Sequence, residues 1–252
     1  MKRILLSCIS FFVFFTSHAQ VNFTANDIVN PYDGVFRPGT NLGFQDDSAL
    51  YSDEDLANIA AGNPAEGIIG AGAKAIRPSL PSNFIDTWGL ELRKPTFAAY
   101  NNLGLEDLTC FVGYPSEAER DQNSYSGCGS QSTMFDNLYE PIWDGGANGT
   151  PYNDDNYYAA YLYEVVSNYT QYVKFWEIWN EPGFDLTGNR AWRPPGDPVG
   201  NWWDRDPDPC EYILRAPIEN YVRTLRISYE IVKSISPDDY VAIAGVGSES
   251  FL

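Results

Sequence analysis

The chain has 252 residues, and 34 acidic against 16 basic side chains give it a formal charge of −18. Such an acidic surface repels phosphates and argues against a nucleic-acid partner. The single histidine, His18, falls inside an N-terminal export signal. Its removal excludes Ser-His-Asp hydrolysis, Cys-His nucleophilic catalysis and histidine-based zinc sites within this chain.

The export signal opens on Lys2 and Arg3, continues through an almost unbroken apolar run from Ile4 to Phe15, and offers Ser17-His18-Ala19 at cleavage spacing. Residues 1–19 read as a signal peptide, and 20–252 as the N-terminal part of a single catalytic domain. The apolar run is too short for a permanent membrane helix, and no later segment reads as transmembrane. The expectation is a secreted or periplasmic protein with no membrane partner.

The pattern then predicts a strand over Arg37–Phe44 and a helix over Asp53–Ala61, with Ser52 as N-cap and Asp53-Glu54-Asp55 in its first turn. A second strand is predicted over Ala73–Ser79, ended by Pro78 and Pro81. Phe84–Leu103 reads as mainly helical, interrupted by Gly89 and Pro95. Leu108–Tyr114 is a third apolar strand, followed by a long loop to about Pro151. Asp154–Val173 reads as a helix and Val173–Trp179 as the fourth strand. A second long loop spans Gly183–Pro209. Ile213–Ile235 is an amphipathic helix with a kink expected near Pro217, and Tyr240–Val246 is the fifth strand.

Apolar strands separated by helices indicate parallel βα units. An open doubly wound sheet would also fit that order, but no GxGxxG follows the first strand and no P-loop occurs anywhere. The long loops follow strands three and four, on the face where a barrel enzyme builds its site. The fold class expected is α/β, a TIM (β/α)8 barrel of which about five βα units are present. Of the pairings open to Cys110, Cys128 and Cys210, a Cys128–Cys210 disulfide would tie two loops together in an oxidising compartment.

The fourth strand ends in Phe175-Trp176-Glu177-Ile178-Trp179-Asn180-Glu181-Pro182. An amide and a carboxylate stand side by side where barrel enzymes keep catalytic groups. The run from Trp176 to Pro182 resembles the strand-four signature of the clan of (β/α)8 retaining glycoside hydrolases, with its cellulase-like, mannanase-like and β-xylosidase-like families. The resemblance implies that Glu181 is the general acid/base and that Asn180 hydrogen-bonds a sugar 2-hydroxyl. An acid in that role must hold its proton, which calls for burial or a nearby second carboxylate. Asn180, neutral and bifunctional, can hold a hydroxyl without competing for that proton.

Arg77 ends the second strand, where cellulase-like members carry an Arg beside the nucleophile. Its other reading is a barrel salt bridge with Glu177. Alternation places Glu177 on the side of Trp179 and Glu181, deeper in the barrel, in a structural role. The chain departs from many cellulase-like members in having Gly113-Tyr114-Pro115 where they have a His after strand three. Tyr114 therefore either faces the site or caps the strand.

Flat aromatic faces suit the C–H faces of sugar rings, so Trp179 and the loop residues Trp192, Trp202 and Trp203 join Asn180, Arg77 and Tyr114 as candidate substrate contacts. The Asp204, Asp206, Asp208 spacing lacks the Gly and distal Glu of a calcium loop, so no metal and no cofactor is assigned. By the resemblance, the nucleophile is a Glu ending strand seven. With the last strand intervals at about 65 residues, that strand falls beyond Leu252, and Glu249 is not assigned the role. The expectation is a secreted glycoside hydrolase that cleaves β-linked glycan by a retaining two-carboxylate mechanism. The acid/base is present, the nucleophile lies outside the chain, and the chain alone has negligible activity. The alternative is a non-catalytic carbohydrate-binding protein on a degenerate barrel.

Overall fold

Among the described residues, five parallel strands lie side by side in chain order, with no reversal. The computed structural model describes residues 32–41, 52–125, 131–182, 214–216 and 218–245. The signal sequence, Cys128, Cys210, Trp192, Trp202, Trp203, the Asp204–Asp208 run and Glu249 lie outside the described residues. The elements are β1 (Gly39–Thr40), α1 (Asp53–Ala61), β2 (Ala75–Ile76), α2 (Ser82–Trp88), α3 (Lys94–Asn102), β3 (Asp107–Val112), α4 (Tyr157–Tyr169), β4 (Phe175–Ile178), α5 (Ile218–Ile235) and β5 (Tyr240–Ile243). The chain is thus α/β with a parallel sheet. Among the described residues, no helix is long and apolar enough to cross a membrane.

The register sorts side chains onto two faces. Cys110 lies opposite Trp176 and Val112 opposite Ile178. With Leu108 they join Tyr158, Leu162, Val165, Ile227 and Ile231 of α4 and α5 in one buried core. Each such side chain removed from water contributes roughly 2 kcal/mol. The alternate positions, Phe111, Glu177 and Ala242, share the other face at one level. Below them, Phe175 stacks on Tyr240, and Tyr32 stands edge-on to both rings.

Polar groups tie the helix layer to the strands. Buried Asp239, just before β5, accepts from Trp176 Nε1 at 3.0 Å and from Thr170 Oγ1 at 2.7 Å. Tyr221 of α5 donates to Ile178 O at 2.9 Å and accepts from Ala244 N at 3.2 Å, so one hydroxyl joins the ends of β4 and β5.

Several elements differ from the sequence expectation, each for a local reason. β1 and β2 are two-residue pairings, shorter than the apolar runs that suggest them. Beyond β2 the pairing runs on outside any named strand, as Phe111 N to Pro78 O, Leu80 N to Phe111 O and Ser82 N to Gly113 O, with Pro78 and Pro81 giving no N–H to it. The expected Phe84–Leu103 helix is two helices, since Gly89 takes φ 76° and Pro95 sits in the first turn of α3.

Helix α4 starts at Tyr157 because Asn156 caps it, its side chain accepting from Ala159 N. Asn153 just before it folds back on Asp155 N instead. The expected kink near Pro217 is absent: Leu214–Ala216 are not helical and α5 begins after Pro217. A proline disfavours helical backbone in the residue before it. The loop after β3 does not simply decorate the site. Met134, Phe135, Leu138 and Ile142 are carried into the core, and Arg223 of α5 donates to Leu138 O.

Candidate functional site

Arg77 follows β2, Gly113 and Tyr114 follow β3, Trp179, Asn180 and Glu181 follow β4, and Gly245 follows β5. In a parallel sheet all four positions lie at one end, so chain direction alone gathers them.

Glu177 is the hub. Its carboxylate accepts from Arg77 Nε at 2.5 Å, from Arg77 Nη2 at 3.0 Å and from Gly245 N at 3.1 Å. The residue is only 7% exposed, so its charge is answered by a two-pronged guanidinium rather than by water. The pair joins β2, β4 and β5. Arg77 also lies over the Phe111 ring, 4.8 Å from its centroid. The salt-bridge reading of Arg77 is therefore what the structure shows, and Glu177 is the partner anticipated for it. Arg77 has a further reach: its Nη2 donates to Asn180 Oδ1 at 2.9 Å.

The backbone at this end is strained. Trp179 has φ 75°, Glu181 φ 44° and Tyr114 φ 51°. Left-handed backbone is uncommon outside glycine and unusual for bulky residues, at about 1–3 kcal/mol each. Trp179 N still donates to Val112 O at 2.8 Å, so the ladder runs on while the side chains turn. Strict alternation ends at Trp179, and the expectation that Glu177, Trp179 and Glu181 point together fails there. Gly113, at φ 137°, makes room for the turn: a Cβ on it would lie 2.6 Å from Trp179 Cε3. Its N–H donates to Tyr161 Oη at 3.2 Å, and that hydroxyl donates to Leu80 O.

Trp179 is fully buried. Its ring stacks on Tyr114 at 4.9 Å and 28°, so it forms the floor of the site and presents no open face. Its Nε1 has no hydrogen-bond partner among the described residues. Tyr114 is half-buried. Burial chiefly raises its phenol above the ordinary value, while the Asn180 amide and Arg77 pull it down and Glu181 pushes it up. The hydroxyl therefore stays protonated in neutral solution, with Asn180, Arg77 and Glu181 all acting on it. The Tyr114 ring also stands edge-on to Phe111 at 5.9 Å.

Glu181 is exposed. The burial expected of a catalytic acid is not supplied by the described residues. Among the described residues, no group of three or more His, Cys, Asp or Glu is placed to hold a metal ion. Cys110 is a free thiol, buried in β3, and burial drives its ionisation far above the usual range.

Sequence reasoning singled out Arg77, Tyr114, Trp179, Asn180 and Glu181, and the structure brings them together. It missed Phe111, Tyr161, Tyr221 and Gly245. The available signal for the two tyrosines was a Tyr on the apolar face of a helix, since a buried phenol needs a hydrogen-bond partner.

No protein-family model matches this sequence, and no curated protein matches it.

Proposed function

We propose that the chain bears the acid/base of a secreted retaining glycoside hydrolase acting on β-linked glycan, on a (β/α)8 barrel whose first strands are the described sheet. One observation carries the reading. The carboxylate of Glu181 is held at the end of a parallel strand on strained backbone, directly after an amide oriented by Arg77. Strain of this kind persists where a site requires it. Asn180 would hold a sugar hydroxyl, and Glu181 would protonate the glycosidic oxygen and then activate water. Glu177 is engaged by Arg77 and Gly245, which leaves the nucleophile to a second Glu outside the described residues.

The barrel is supported by strand order. Right-handed crossovers between strands added in one direction keep all helices on one face and leave the other to close on itself. β5 has a neighbour on one side only among the described residues, and its Ile243 is 62% exposed. Both fit a strand whose next neighbour continues the sheet.

The exposure of Glu181 favours a second reading, a carbohydrate-binding protein without turnover. The two separate in one assay of the gene product that carries this sequence. β-Glucan, xylan, mannan and galactan are offered as substrates, and matching oligosaccharides are titrated against tryptophan fluorescence. The hydrolase reading expects one polymer to be cut. Glu181→Gln should then lower turnover about 10²- to 10⁴-fold, as loss of a general acid does, with oligosaccharide binding little changed. Binding without turnover, indifferent to Glu181→Gln, selects the second reading. Neither binding nor turnover overturns both.

A further inference from the structure

We infer that Tyr161 and Tyr221 are a matched pair of positioning residues. Their hydroxyls are inserted into the strand ladder at the site end, where they set Gly113 under Trp179 and Gly245 against Glu177. For its effect on turnover this rests on the glycan-site reading; the inserted hydroxyls themselves do not.

Parallel strands exchange evenly spaced rungs, one at every second residue. Between the ends of β2 and β3, Leu80 N donates to Phe111 O at 3.0 Å and Ser82 N donates to Gly113 O at 2.9 Å. The rung between those two belongs to Gly113 N and Leu80 O. Instead, Gly113 N donates to Tyr161 Oη at 3.2 Å, and that hydroxyl donates to Leu80 O. The same substitution recurs between β4 and β5. Tyr240 N donates to Lys174 O at 2.9 Å, and the register pairs Ile178 with Ile243. The next rung therefore belongs to Ala244 N and Ile178 O. There Ala244 N donates to Tyr221 Oη at 3.2 Å, and the hydroxyl donates to Ile178 O at 2.9 Å. Between β3 and β4 the terminal rung is direct, Trp179 N to Val112 O at 2.8 Å. The central pair thus stays closed to its end, while the strand on either side is held one oxygen away.

A hydroxyl can do this because it donates and accepts at once. A phenol does it at a set place. Both residues are buried, at 7% and 4% exposure, and the Tyr161 ring stacks on Phe135 at 5.6 Å and 19°.

Each inserted hydroxyl fixes a different part of the site. Gly113 lies so close to the Trp179 ring that a Cβ on it would stand 2.6 Å from Cε3, and Asn180 and Glu181 follow Trp179 directly. Gly245 follows Ala244, and its N–H reaches the Glu177 carboxylate at 3.1 Å. Glu177 in turn grips Arg77, which holds Asn180 Oδ1 at 2.9 Å. Tyr161 acts on the floor of the site, and Tyr221 on its polar hub.

The test is made by NMR on the gene product that carries this sequence, comparing wild type with Tyr161→Phe and Tyr221→Phe. The remaining ring still keeps the strand ends apart, so the amide that loses its hydroxyl should exchange with water about tenfold faster. That amide is Gly113 in the first variant and Ala244 in the second. Tyr161→Phe should shift the Trp179 indole resonance and leave the Gly245 amide in place, and Tyr221→Phe should do the reverse. Merely stabilising tyrosines would move both probes alike or neither, and either result overturns the proposal. In wild type, whether or not the variants fold, slowly exchanging hydroxyl protons should cross-relax with the Gly113 and Ala244 amides. Their absence overturns the inserted rungs.

On a glycan that the wild type cuts, each variant should lower kcat by up to about 10²-fold, as a misplacement of about 1 Å does, with KM nearly unchanged. Unchanged kcat in both overturns the positioning role. If the wild type cuts no glycan, the glycan reading fails, and the amide and indole resonances still decide the rungs.

Discussion

Glu177 and Glu181 leave the same strand end under opposite physical demands. Glu177 is buried with a two-pronged partner and a backbone N–H, so its charge belongs to the fold. Removing one member of such a pair strands the other in a poorly hydrated place. Glu181 is exposed and its backbone is strained, so the fold gains little from its carboxylate. Glu177→Ala should therefore cost about 3 kcal/mol in urea unfolding, whereas Glu181→Ala should stay within about 0.5 kcal/mol of wild type. Equal losses would show that the two carboxylates are not divided between structure and function.

At the scale of elements, α1 shows how much local chemistry decides. The Ser52 side chain accepts from Asp55 N, and the Asp55 carboxylate accepts from Ser52 N at 2.9 Å, a reciprocal cap. Those backbone and side-chain hydrogen bonds from Ser52 hold the Asp55 carboxyl below its usual range. A depressed carboxyl contributes stability that is present above the unfolded value near 4 and fades as pH falls through the folded one. Ser52→Ala should lower thermal stability by about 1 kcal/mol at neutral pH, and the deficit should shrink in acid. A deficit that is constant with pH would mean that the Ser52 hydroxyl does not act on the Asp55 carboxylate, whose bond from the Ser52 backbone N–H survives the substitution.

Such signals explain what the sequence made legible. The bounds of α1 follow from Ser52 and its acidic first turn, and β4 follows from an aromatic run stopped by Pro182. The pairing of Asn180 with Glu181 is visible because amide and carboxylate end an apolar strand. What stayed hidden depends on distant partners. The loop after β3 has no periodicity, so its insertion of Met134, Phe135, Leu138 and Ile142 into the core could not be read from the chain. The turn at Trp179, which buries a ring expected to face sugar, depends on the space above Gly113. The grip of Gly245 on Glu177 depends on a strand that begins 63 residues later in the chain, at Tyr240.

Across the whole molecule, the helix layer is held by buried phenols. Burial pushes Tyr100 and Tyr169 up to about 12, and raises Tyr158 and Tyr161 as well. An unfolded chain ionises its tyrosines near 10. Above that pH the unfolded state binds fewer protons than the folded one, so stability is full below about 10 and falls as pH rises towards 12. On titration with base, phenolate absorbance from these residues should appear together with the loss of helical circular dichroism, in one steep step. Smooth ionisation with the helices intact would mean that these hydroxyls are reached by solvent in the folded chain.

In the proposed reaction Glu181 donates a proton to a departing sugar oxygen. The most direct measurement is the dependence of turnover on leaving group, made on aryl β-glycosides with wild type and Glu181→Gln. A leaving group that departs unaided needs no acid, whereas a poor one does. Glu181→Gln should lose roughly 10²-fold or more on poor leaving groups and little on the best ones. A loss of the same size on every leaving group, or no loss on any, would contradict it.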